Sequence, residues 1–280
     1  MDSEVIARVA ASLAEDLGSG DVTAGLIPAD QIAEAQIVFR TPGIVCGIPW
    51  ATEAFRQVDP AVGVTWHLQD GDRIEANQVV GSFRVLARSL VTAERTVLNW
   101  LQCLSGTATT VADYVAVLQS VNAKTRLLDT RKTLPGLRAA QKYAVRCGGG
   151  YNHRMGLFDA YLIKENHIEA CGSITKAVQK ARALHPELLI EVEVETLAEL
   201  SEALAIGVPR IMLDNFTPEV AREAVVVTAG RAELEISGGI TRETLPLWGS
   251  VGVDYLSIGA LTKDVKAADL SFQLRRLVKD

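Results

Sequence analysis

The chain has 280 residues, of which 48% are hydrophobic, and carries a net charge of −6 at pH 7. This length is sufficient for two domains with separate hydrophobic cores. An acidic chain with scattered aromatic residues is not typical of nucleic-acid-binding domains, which are usually basic. No apolar run approaches the roughly 20 residues that span a bilayer. We therefore expect neither nucleic acid nor a membrane as a partner.

The start of the chain predicts a cytoplasmic protein. Residues 2–4, Asp-Ser-Glu, open an amphipathic helix that lacks the basic start and apolar centre of a signal peptide. The cysteines are widely separated along the chain and contain no Cys-x-x-Cys pair: Cys46, Cys103, Cys147 and Cys171. This spacing predicts reduced thiols, mostly buried, and favours neither a zinc site nor a disulfide framework.

The first hundred residues are predicted to form a mixed α and β domain. Alternating apolar residues indicate strands at 35–40, 63–68 and 79–86, with a turn at 70–72. A helix over about 90–104 follows, which places a domain boundary near 105–106. The turn and the strand after it resemble the hairpin of biotinyl or lipoyl carrier domains, but the first lysine of the chain is Lys124, which excludes a swinging-arm role.

From Lys124 onward, strands alternate with helices. The predicted strands are 124–129, 159–164, 188–194, 210–214, 233–237 and 253–258, and the predicted helices are 137–147, 173–184, 197–206, 218–229 and 241–249. Such alternation indicates parallel strands covered by helices. Because six strands fall short of the eight of a closed barrel, we expect an open (incomplete) TIM-like α/β barrel in residues 107–265. The tail 266–280 is expected to pack on the N-terminal domain, residues 1–106.

Positive charge is concentrated between residues 124 and 164. Nine of the 28 Lys and Arg residues lie there with only two acidic residues, so the segment carries +7 and the rest of the chain carries −13. Two predicted strands end at Arg131, Lys132 and Lys164, and His153 and Arg154 follow a glycine run. Because arginine binds planar anionic groups through two donors and lysine acts as a point charge, the mixture predicts a ligand with more than one kind of anionic group.

A solvent-exposed basic face is the alternative interpretation. Arg138, Lys142 and Arg146 recur at fourfold spacing on one predicted helix, and for these three a solvated face and a binding face fit equally well. A basic patch that binds a partner without catalysis remains open on the same ground. A solvated basic face explains the cations at the strand ends less well, because binding sites are commonly built at the ends of strands.

Carboxylates follow the next two strands. In 190–195 the period of two places Glu191, Glu193 and Glu195 on one strand face, which in a barrel looks inward. Glu191 could instead pair with a buried lysine. Asp214 ends the following strand, and together with Glu193 it is a candidate for binding a metal, a ribose hydroxyl or a developing positive charge. Since His and Cys show no metal-ligand spacing, the metal expected is Mg²⁺.

The last two strands end in glycine-containing turns. Backbone N–H groups at such turns can bind phosphate, and barrel enzymes frequently place a phosphate after their final strands. The two turns are Ser237-Gly238-Gly239 and Ser257-Ile258-Gly259-Ala260.

Together these motifs resemble the quinolinate phosphoribosyltransferase family of NAD biosynthesis. The resemblance rests on the following segments in this order: Glu15-Asp16-Leu17-Gly18, Ala93-Glu94-Arg95-Thr96, Thr130-Arg131-Lys132-Thr133, Gly148-Gly149-Gly150 with Asn152-His153-Arg154, Ile163-Lys164-Glu165-Asn166-His167, Glu191-Val192-Glu193, Leu213-Asp214-Asn215 and Ser237-Gly238-Gly239. It covers nearly the whole chain.

The resemblance implies an N-terminal α/β sandwich, an open α/β barrel and a homodimer in which the N-terminal domain of one subunit covers the barrel of the other. It implies a pentosyltransferase that moves phosphoribose from phosphoribosyl pyrophosphate (PRPP) to quinolinate and releases pyrophosphate and CO₂. Arg95 of the partner subunit would then reach the site. On its helix Arg95 lies away from the apolar stripe formed by Ala93, Val97 and Leu101.

The resemblance also implies roles for site residues. The quinolinate-binding set comprises Arg95, Arg131, His153, Arg154 and Lys164, with Thr130 beside it. Lys132 is expected near the Mg²⁺-bound pyrophosphate, and the two glycine turns near the 5-phosphate. Glu193 and Asp214 are expected near the ribose, with Mg²⁺ bound by them directly or through substrate or water. Lys132, Glu193 and Asp214 are the expected catalytic residues.

Two other enzymatic or transport-related interpretations remain open. Lys164 could form a Schiff base in an aldolase-like reaction. A paralogue associated with molybdenum transport shares the fold and several of the motifs.

Overall fold

The structure, a computed structural model, describes residues 2–278. It contains two compact units. The first includes the chain up to Thr110, Tyr143–Gly149 and the segment from Val265, and the second includes Val111–Lys142 and Gly150–Asp264. None of the helices formed by residues 2–278 has an apolar stretch of the length that a bilayer crossing requires.

The first unit is built around an antiparallel sheet with the strand order β12-β1-β5-β3. Its strands are β1 (Ile32–Phe39), β3 (Gly63–Trp66), β5 (Val79–Leu86) and β12 (Leu270–Val278), and a short pair is formed by β2 (Gly43–Ile44) and β4 (Arg73–Ile74). Its helices are α1 (Ser3–Leu17), α2 (Ile48–Val58) and the first part of α3 (Ala87–Val121). An aromatic cluster holds sheet and helix together, because the ring of Phe83 lies 4.9–5.6 Å from those of Phe55, Trp66 and Phe272.

Helix α3 is longer than the sequence predicts. It runs without interruption through Ser105 and Gly106, where a domain boundary is expected. Gly106 permits a close approach there, since a Cβ atom at this position would lie 2.1 Å from the carbonyl oxygen of Lys266. Gly106 suggests the end of a helix in the sequence, but in the structure it lies inside α3 and allows close packing against Lys266.

The second unit contains a six-stranded parallel sheet with the order β6-β11-β10-β9-β8-β7. Its strands are β6 (Arg126–Leu128), β7 (Ala160–Ile163), β8 (Leu189–Val194), β9 (Arg210–Asp214), β10 (Glu233–Ser237) and β11 (Tyr255–Ser257). Among residues 2–278 the edge strands β6 and β7 do not pair with each other, so the barrel is open. The predicted fold class is confirmed.

Helices connect these strands. They are α4 (Arg138–Cys147), α5 (Glu165–Cys171), α6 (Ile174–Leu184), α7 (Leu197–Ala205), α8 (Pro218–Thr228), α9 (Leu245–Gly249) and α10 (Ala260–Lys263). The predicted start of α8 is confirmed, because the side chain of Thr217 caps the helix and Pro218 is its first residue. The predicted helix over 241–249 begins only at Leu245, after a turn in which Thr241 and Thr244 hydrogen-bond to each other.

The elements that the sequence does not predict include α5, β12 and α2. Helix α5 buries none of its residues, so it has no apolar stripe to detect. Strand β12, in the tail, is half-exposed along most of its length and forms through pairing with β1. Helix α2 has Pro49 in its first turn, which reads as a loop signal although proline is favoured at that position.

Candidate active site

Most of the predicted site residues of the barrel lie at the carboxyl ends of neighbouring parallel strands, whereas His153 and Arg154 lie in the segment before β7. Leu128, Ser257, Ser237 and Asp214 are in register across β6, β11, β10 and β9. On the remaining strands Ile163 pairs with Val192, which brings Lys164 beside Glu193. One end of the sheet thus carries cations, carboxylates and both glycine turns, as the order of strands in an α/β barrel requires.

A buried ion pair supports the end of β6. The Lys142 ammonium contacts Asp129 Oδ1, and both side chains are fully buried. Burial lowers the pKa of Lys142 and raises that of Asp129, and the attraction between the two opposes both shifts. The interpretation of Lys142 as a member of a solvated face is therefore wrong, because its helix turns this position into the interior.

Asp129 also organises the segment after the glycine run. It accepts hydrogen bonds from His153 N (2.9 Å) and Asn152 Nδ2 (2.6 Å), and Lys142 Nζ donates to the carbonyl oxygen of His153 (2.9 Å). Sequence reasoning missed the roles of Asp129 and Asn152. The available signal was an acidic residue at the end of a buried strand within an otherwise basic segment.

The other two cations of α4 differ from Lys142. Arg138 is half-buried and donates to the carbonyl oxygen of Met155 (3.2 Å) and to Thr133 Oγ1 (3.3 Å). Arg146 is exposed. The fourfold spacing therefore does not define a single environment for the three residues.

His153 faces two buried carboxyl groups. Its Nδ1 accepts a hydrogen bond from the N–H of Arg154 (2.7 Å), which places the proton of a neutral ring on Nε2. That nitrogen lies 3.0 Å from Glu191 Oε2 and 3.6 Å from Glu235 Oε2, without an aligned hydrogen bond. Burial lowers the pKa of His153, which favours the neutral ring.

Glu191 and Glu235 form an interior carboxyl pair. Burial raises the pKa of Glu191 to about 7, and burial together with repulsion by Glu191 raises the pKa of Glu235 to about 8. At neutral pH the pair therefore retains a proton. The alternative in which Glu191 pairs with a buried lysine is wrong, since its carboxylate lies against the His153 ring, 3.0 Å from Nε2.

Three cations lie around this segment. Arg131 and Lys132 are exposed, whereas Arg154 is half-buried and donates to the carbonyl oxygen of Ala160 (3.2 Å). Burial lowers the pKa of Arg154, and the positive charge of Arg131 lowers it further. The two guanidinium groups therefore repel each other and would be stabilised by an anion between them.

Lys164 and Glu193 form an ion pair at the end of the sheet. Nζ lies 2.5 Å from Oε2, and the side chains are 41% and 8% exposed. Asp214, on the next strand, accepts a hydrogen bond from Asn215 Nδ2 through Oδ2 (2.9 Å). Within residues 2–278 no hydrogen bond reaches Glu193 Oε1 or Asp214 Oδ1, so each carboxylate keeps one oxygen available for a ligand.

The two glycine turns stand side by side because Ser237 and Ser257 are paired. Gly238 and Gly239 have positive φ angles of 105° and 61°, which L-residues rarely adopt. Within the described part of the chain, no backbone hydrogen bond is donated by Gly238, Gly239, Gly259 or Ala260. Ile258 differs, since its side chain is buried and its N–H already donates to the Leu128 carbonyl (3.0 Å).

Gly259 also packs against the segment after β6. A Cβ atom at this position would lie 2.8 Å from Lys132 Cδ and 3.5 Å from Thr130 Oγ1. The Thr130 hydroxyl oxygen accepts a hydrogen bond from the N–H of Lys132 (3.0 Å), and the Thr262 hydroxyl donates to the Lys132 carbonyl (2.7 Å). The position of Lys132 is therefore set by several contacts.

Arg95 belongs to the first unit and is exposed on α3, whereas Ala93, Val97 and Leu101 are fully buried.

Two clusters of three possible metal ligands occur among the described residues. They are His153 with Glu191 and Glu235, and Cys46 with Asp70 and Cys147. The predicted Mg²⁺ ligands Glu193 and Asp214 belong to neither.

Comparisons with known proteins agree over nearly the whole chain. The family model of the quinolinate phosphoribosyl transferase N-terminal domain matches residues 21–105, and that of the C-terminal domain matches residues 107–273. A Bacillus subtilis protein named probable nicotinate-nucleotide pyrophosphorylase (carboxylating) is 44% identical over 261 residues, which cover 93% of this chain and 90% of that protein. The Mycobacterium leprae nicotinate-nucleotide pyrophosphorylase (carboxylating) is 42% identical, with 94% of each chain covered.

Solved structures give the same result. The nicotinate-nucleotide pyrophosphorylase from Francisella tularensis superimposes with a TM-score of 0.95 at 46% identity, covering 98% of both chains. The two domain models and these relatives match the chain from its first domain to its last strand. The chain therefore belongs to the quinolinate phosphoribosyltransferase family.

Proposed function

We propose that this chain transfers phosphoribose from PRPP to quinolinate and decarboxylates the product, giving nicotinate mononucleotide, pyrophosphate and CO₂. The observation that carries the proposal is the register of β6, β11, β10 and β9, which lines up a cationic segment, two glycine turns and a carboxylate at one end of the sheet. An anionic aromatic acid and an activated sugar phosphate need these groups side by side.

The cations suit a small diacid. Arg131 and Arg154 repel each other, and Lys164, which follows β7, has Glu193 as its one ion-pair partner among residues 2–278. A pyridine dicarboxylate would neutralise these groups through charge-assisted hydrogen bonds, each contributing about 1.5–3 kcal/mol. Asp129 and Lys142 hold the backbone of His153, which supports the proposal that its ring contacts the acid.

The glycine turns suit the 5-phosphate of PRPP. Four backbone N–H groups, those of Gly238, Gly239, Gly259 and Ala260, have no acceptor among residues 2–278. Such clustered N–H groups bind phosphate oxygens well. Ser237 and Ser257 belong to the same turns, and Ile258 contributes only packing.

Glu193 and Asp214 suit the reacting sugar. When pyrophosphate leaves, the ribose becomes an oxocarbenium-like cation, which carboxylates held nearby stabilise electrostatically. The quinolinate nitrogen attacks this carbon and becomes positively charged. The positive nitrogen then stabilises the electron pair that stays on the adjacent ring carbon when its carboxylate leaves as CO₂, and this carbon takes up a proton from water. The protein therefore mainly positions the reactants and neutralises charge.

Mg²⁺ is the proposed cofactor. The free oxygens Glu193 Oε1 and Asp214 Oδ1 fit a hard cation that prefers oxygen ligands and keeps several waters. Bound there together with substrate, Mg²⁺ would supply charge neutralisation for the leaving pyrophosphate. Lys132, fixed by its contacts with Gly259 and Thr262, would add a second positive charge on that side.

Arg95 is proposed to complete the quinolinate site of a partner subunit in a homodimer. The support is its exposure on α3, opposite the buried stripe, and its place in a segment typical of the family. In a twofold dimer each site would then combine Arg95 of one chain with the barrel of the other.

Pyrophosphate release tests the function. We expect release with quinolinate and none with nicotinate, which lacks the second carboxylate that the cations would bind. Activity with nicotinate alone would contradict the proposal.

Borohydride trapping separates phosphoribosyl transfer from an aldolase-like reaction, because a Lys164 adduct with a carbonyl substrate would require a Schiff base.

Mixing two inactive variants tests the shared site. If Arg95 acts in the partner, a dimer of one Arg95→Ala and one Arg154→Ala subunit has one intact site, and random mixing restores about a quarter of the wild-type activity. If Arg95 acts within its own chain, mixing restores nothing. Arg8→Ala, an exposed arginine of the first unit, is the matched control and should retain full activity.

A further inference from the structure

Two cysteines far apart in the sequence meet in the first unit. Cys46 lies between β2 and α2 and is fully buried, whereas Cys147 is the last residue of α4 and is half-buried. Their sulfur atoms and a carboxylate oxygen of Asp70 lie within 4.8 Å of one another. Cys46 and Cys147 are therefore far apart in the sequence but close together in the structure.

Backbone hydrogen bonds fix the three segments that carry these groups. Gly71 N donates to the Val45 carbonyl (2.8 Å), and Val45 N donates to the Asp72 carbonyl (3.0 Å). A Cβ atom at Gly71 would lie 3.6 Å from the carbonyl oxygen of Cys147. The backbone of Cys46 is held in addition by Ser105, whose hydroxyl bonds both its N–H and its carbonyl.

The carboxylate of Asp70 is already engaged. Oδ1 accepts a hydrogen bond from Ile48 N (3.1 Å) and Oδ2 from the Tyr143 hydroxyl (2.8 Å). Asp70 therefore caps α2 and orients Tyr143, which leaves two thiols rather than three free ligands for a metal ion. The cluster is better suited to thiol chemistry than to metal binding.

We propose that Cys46 and Cys147 form a reversible intrachain disulfide. The Cys147 thiolate attacks a low-molecular-weight disulfide of the glutathione class, forms a mixed disulfide and releases one thiol. Cys46 then loses its proton and attacks the Cys147 sulfur, which releases the second thiol. Two protein thiols are oxidised by two electrons, and one glutathione disulfide is reduced to two glutathione molecules.

The environments of the two thiols set this order. The interaction with the Cys46 thiol lowers the pKa of Cys147, and the charge of Arg146 acts in the same direction against burial. Burial raises the pKa of Cys46 well above its ordinary value. The half-buried thiol of Cys147 is thus the better nucleophile, and the fully buried thiol of Cys46 is the resolving thiol. The disulfide would join the β2–α2 loop to the residue that precedes the glycine run.

Peptide mass spectrometry on the full chain tests the proposal. The reduced protein is incubated with oxidised glutathione, the remaining thiols are blocked with N-ethylmaleimide in denaturant so that buried thiols also react, and the digest is analysed. We expect two of the four free thiols to be lost, a cross-linked peptide pair that contains Cys46 and Cys147, and recovery of both thiols with dithiothreitol. Cys103 and Cys171 should remain alkylated.

Variants separate the two steps. Cys46→Ala should accumulate the glutathione adduct on Cys147, because no thiol resolves it, and Cys147→Ala should leave Cys46 reduced. Cys171→Ala is the matched control and should cross-link as the wild type does. The proposal is overturned if Cys46 and Cys147 of the wild type stay alkylatable, if Cys147 keeps the adduct, or if only interchain bonds form. Zinc retained at one ion per chain with protected thiols would also overturn it.

Discussion

Two lysine–carboxylate pairs of the second unit differ in their surroundings. Lys142 and Asp129 are fully buried, whereas Lys164 is 41% exposed beside Glu193 at the end of the sheet. The buried pair also bonds the backbone of His153 and the side chain of Asn152, so its function is to hold the segment after the glycine run. The outer pair is partly exposed, and we propose that it exchanges partners with a substrate.

The comparison teaches that the depth of an ion pair determines whether it stabilises the fold or serves the reaction. Two charges removed from water are held in place by each other, and loss of one leaves the other without compensation. A pair that water reaches contributes little to stability and can be used for binding. Variants of the two lysines therefore separate stability from activity.

The largest effect is expected for Lys142→Met. Removal of this ammonium leaves the Asp129 carboxylate buried without its counterion, which should lower the free energy of unfolding by about 3–5 kcal/mol. Urea unfolding measures this loss. The double variant Asp129→Asn, Lys142→Met is the control and should lose less, because no charge is left buried. A single variant as stable as the wild type would show that the pair carries no structural role.

Lys164 and Lys142 show how much of the site the sequence predicts. The alternation of strands and helices placed Lys164, Glu193 and Asp214 at strand ends, since the period of each element is visible locally. Lys142 was misjudged because fourfold spacing of charges describes one helix face, while burial of that face depends on Asp129, which lies on another element. Likewise β12 exists through its pairing with β1, at the far end of the chain, and no local pattern indicates it.

The interior carboxyl pair, Glu191 and Glu235, should make the stability of the protein depend on pH. Burial raises the pKa of Glu235 to about 8, so the folded state binds a proton that the unfolded state releases above its ordinary pKa of 4.5. The stability contributed by this group is fully present below pH 4.5 and is lost as pH rises through the window from 4.5 to about 8.

Glu235→Gln removes this titration. Between about pH 5 and about pH 9 the wild type should lose a few kcal/mol more of its free energy of unfolding than the variant does. Urea unfolding of both proteins across this range measures the difference. Identical pH dependence in the two proteins would mean that Glu235 is ionised in the folded state at neutral pH.

A smaller effect, on activity rather than stability, is expected for Lys164→Met. The variant should lose about 1.5–3 kcal/mol of transition-state stabilisation, or about 10–100-fold in kcat/KM for quinolinate, because one charge-assisted contact is removed. Its free energy of unfolding should fall by less than that of Lys142→Met, because only one member of the outer pair, Glu193, is buried. Lys180→Met, an exposed lysine on α6, is the matched control. If Lys164→Met destabilised the protein as strongly as Lys142→Met, the distinction by depth would be wrong.

The smallest effect is expected for Gly259→Ala. The φ angle of Gly259 is −68°, which alanine adopts readily, so the backbone is not strained. The new Cβ would lie 2.8 Å from Lys132 Cδ and must displace this side chain. We therefore expect KM for PRPP to rise by about tenfold or less, equivalent to about 1.4 kcal/mol, with KM for quinolinate changed less. Gly25→Ala, where a Cβ would meet no atom within 4 Å, should leave both constants unchanged. Equal changes in both KM values would indicate that the substitution disturbs the whole site. A displaced Lys132 should instead raise mainly the KM for PRPP, because Lys132 is proposed to lie on the pyrophosphate side.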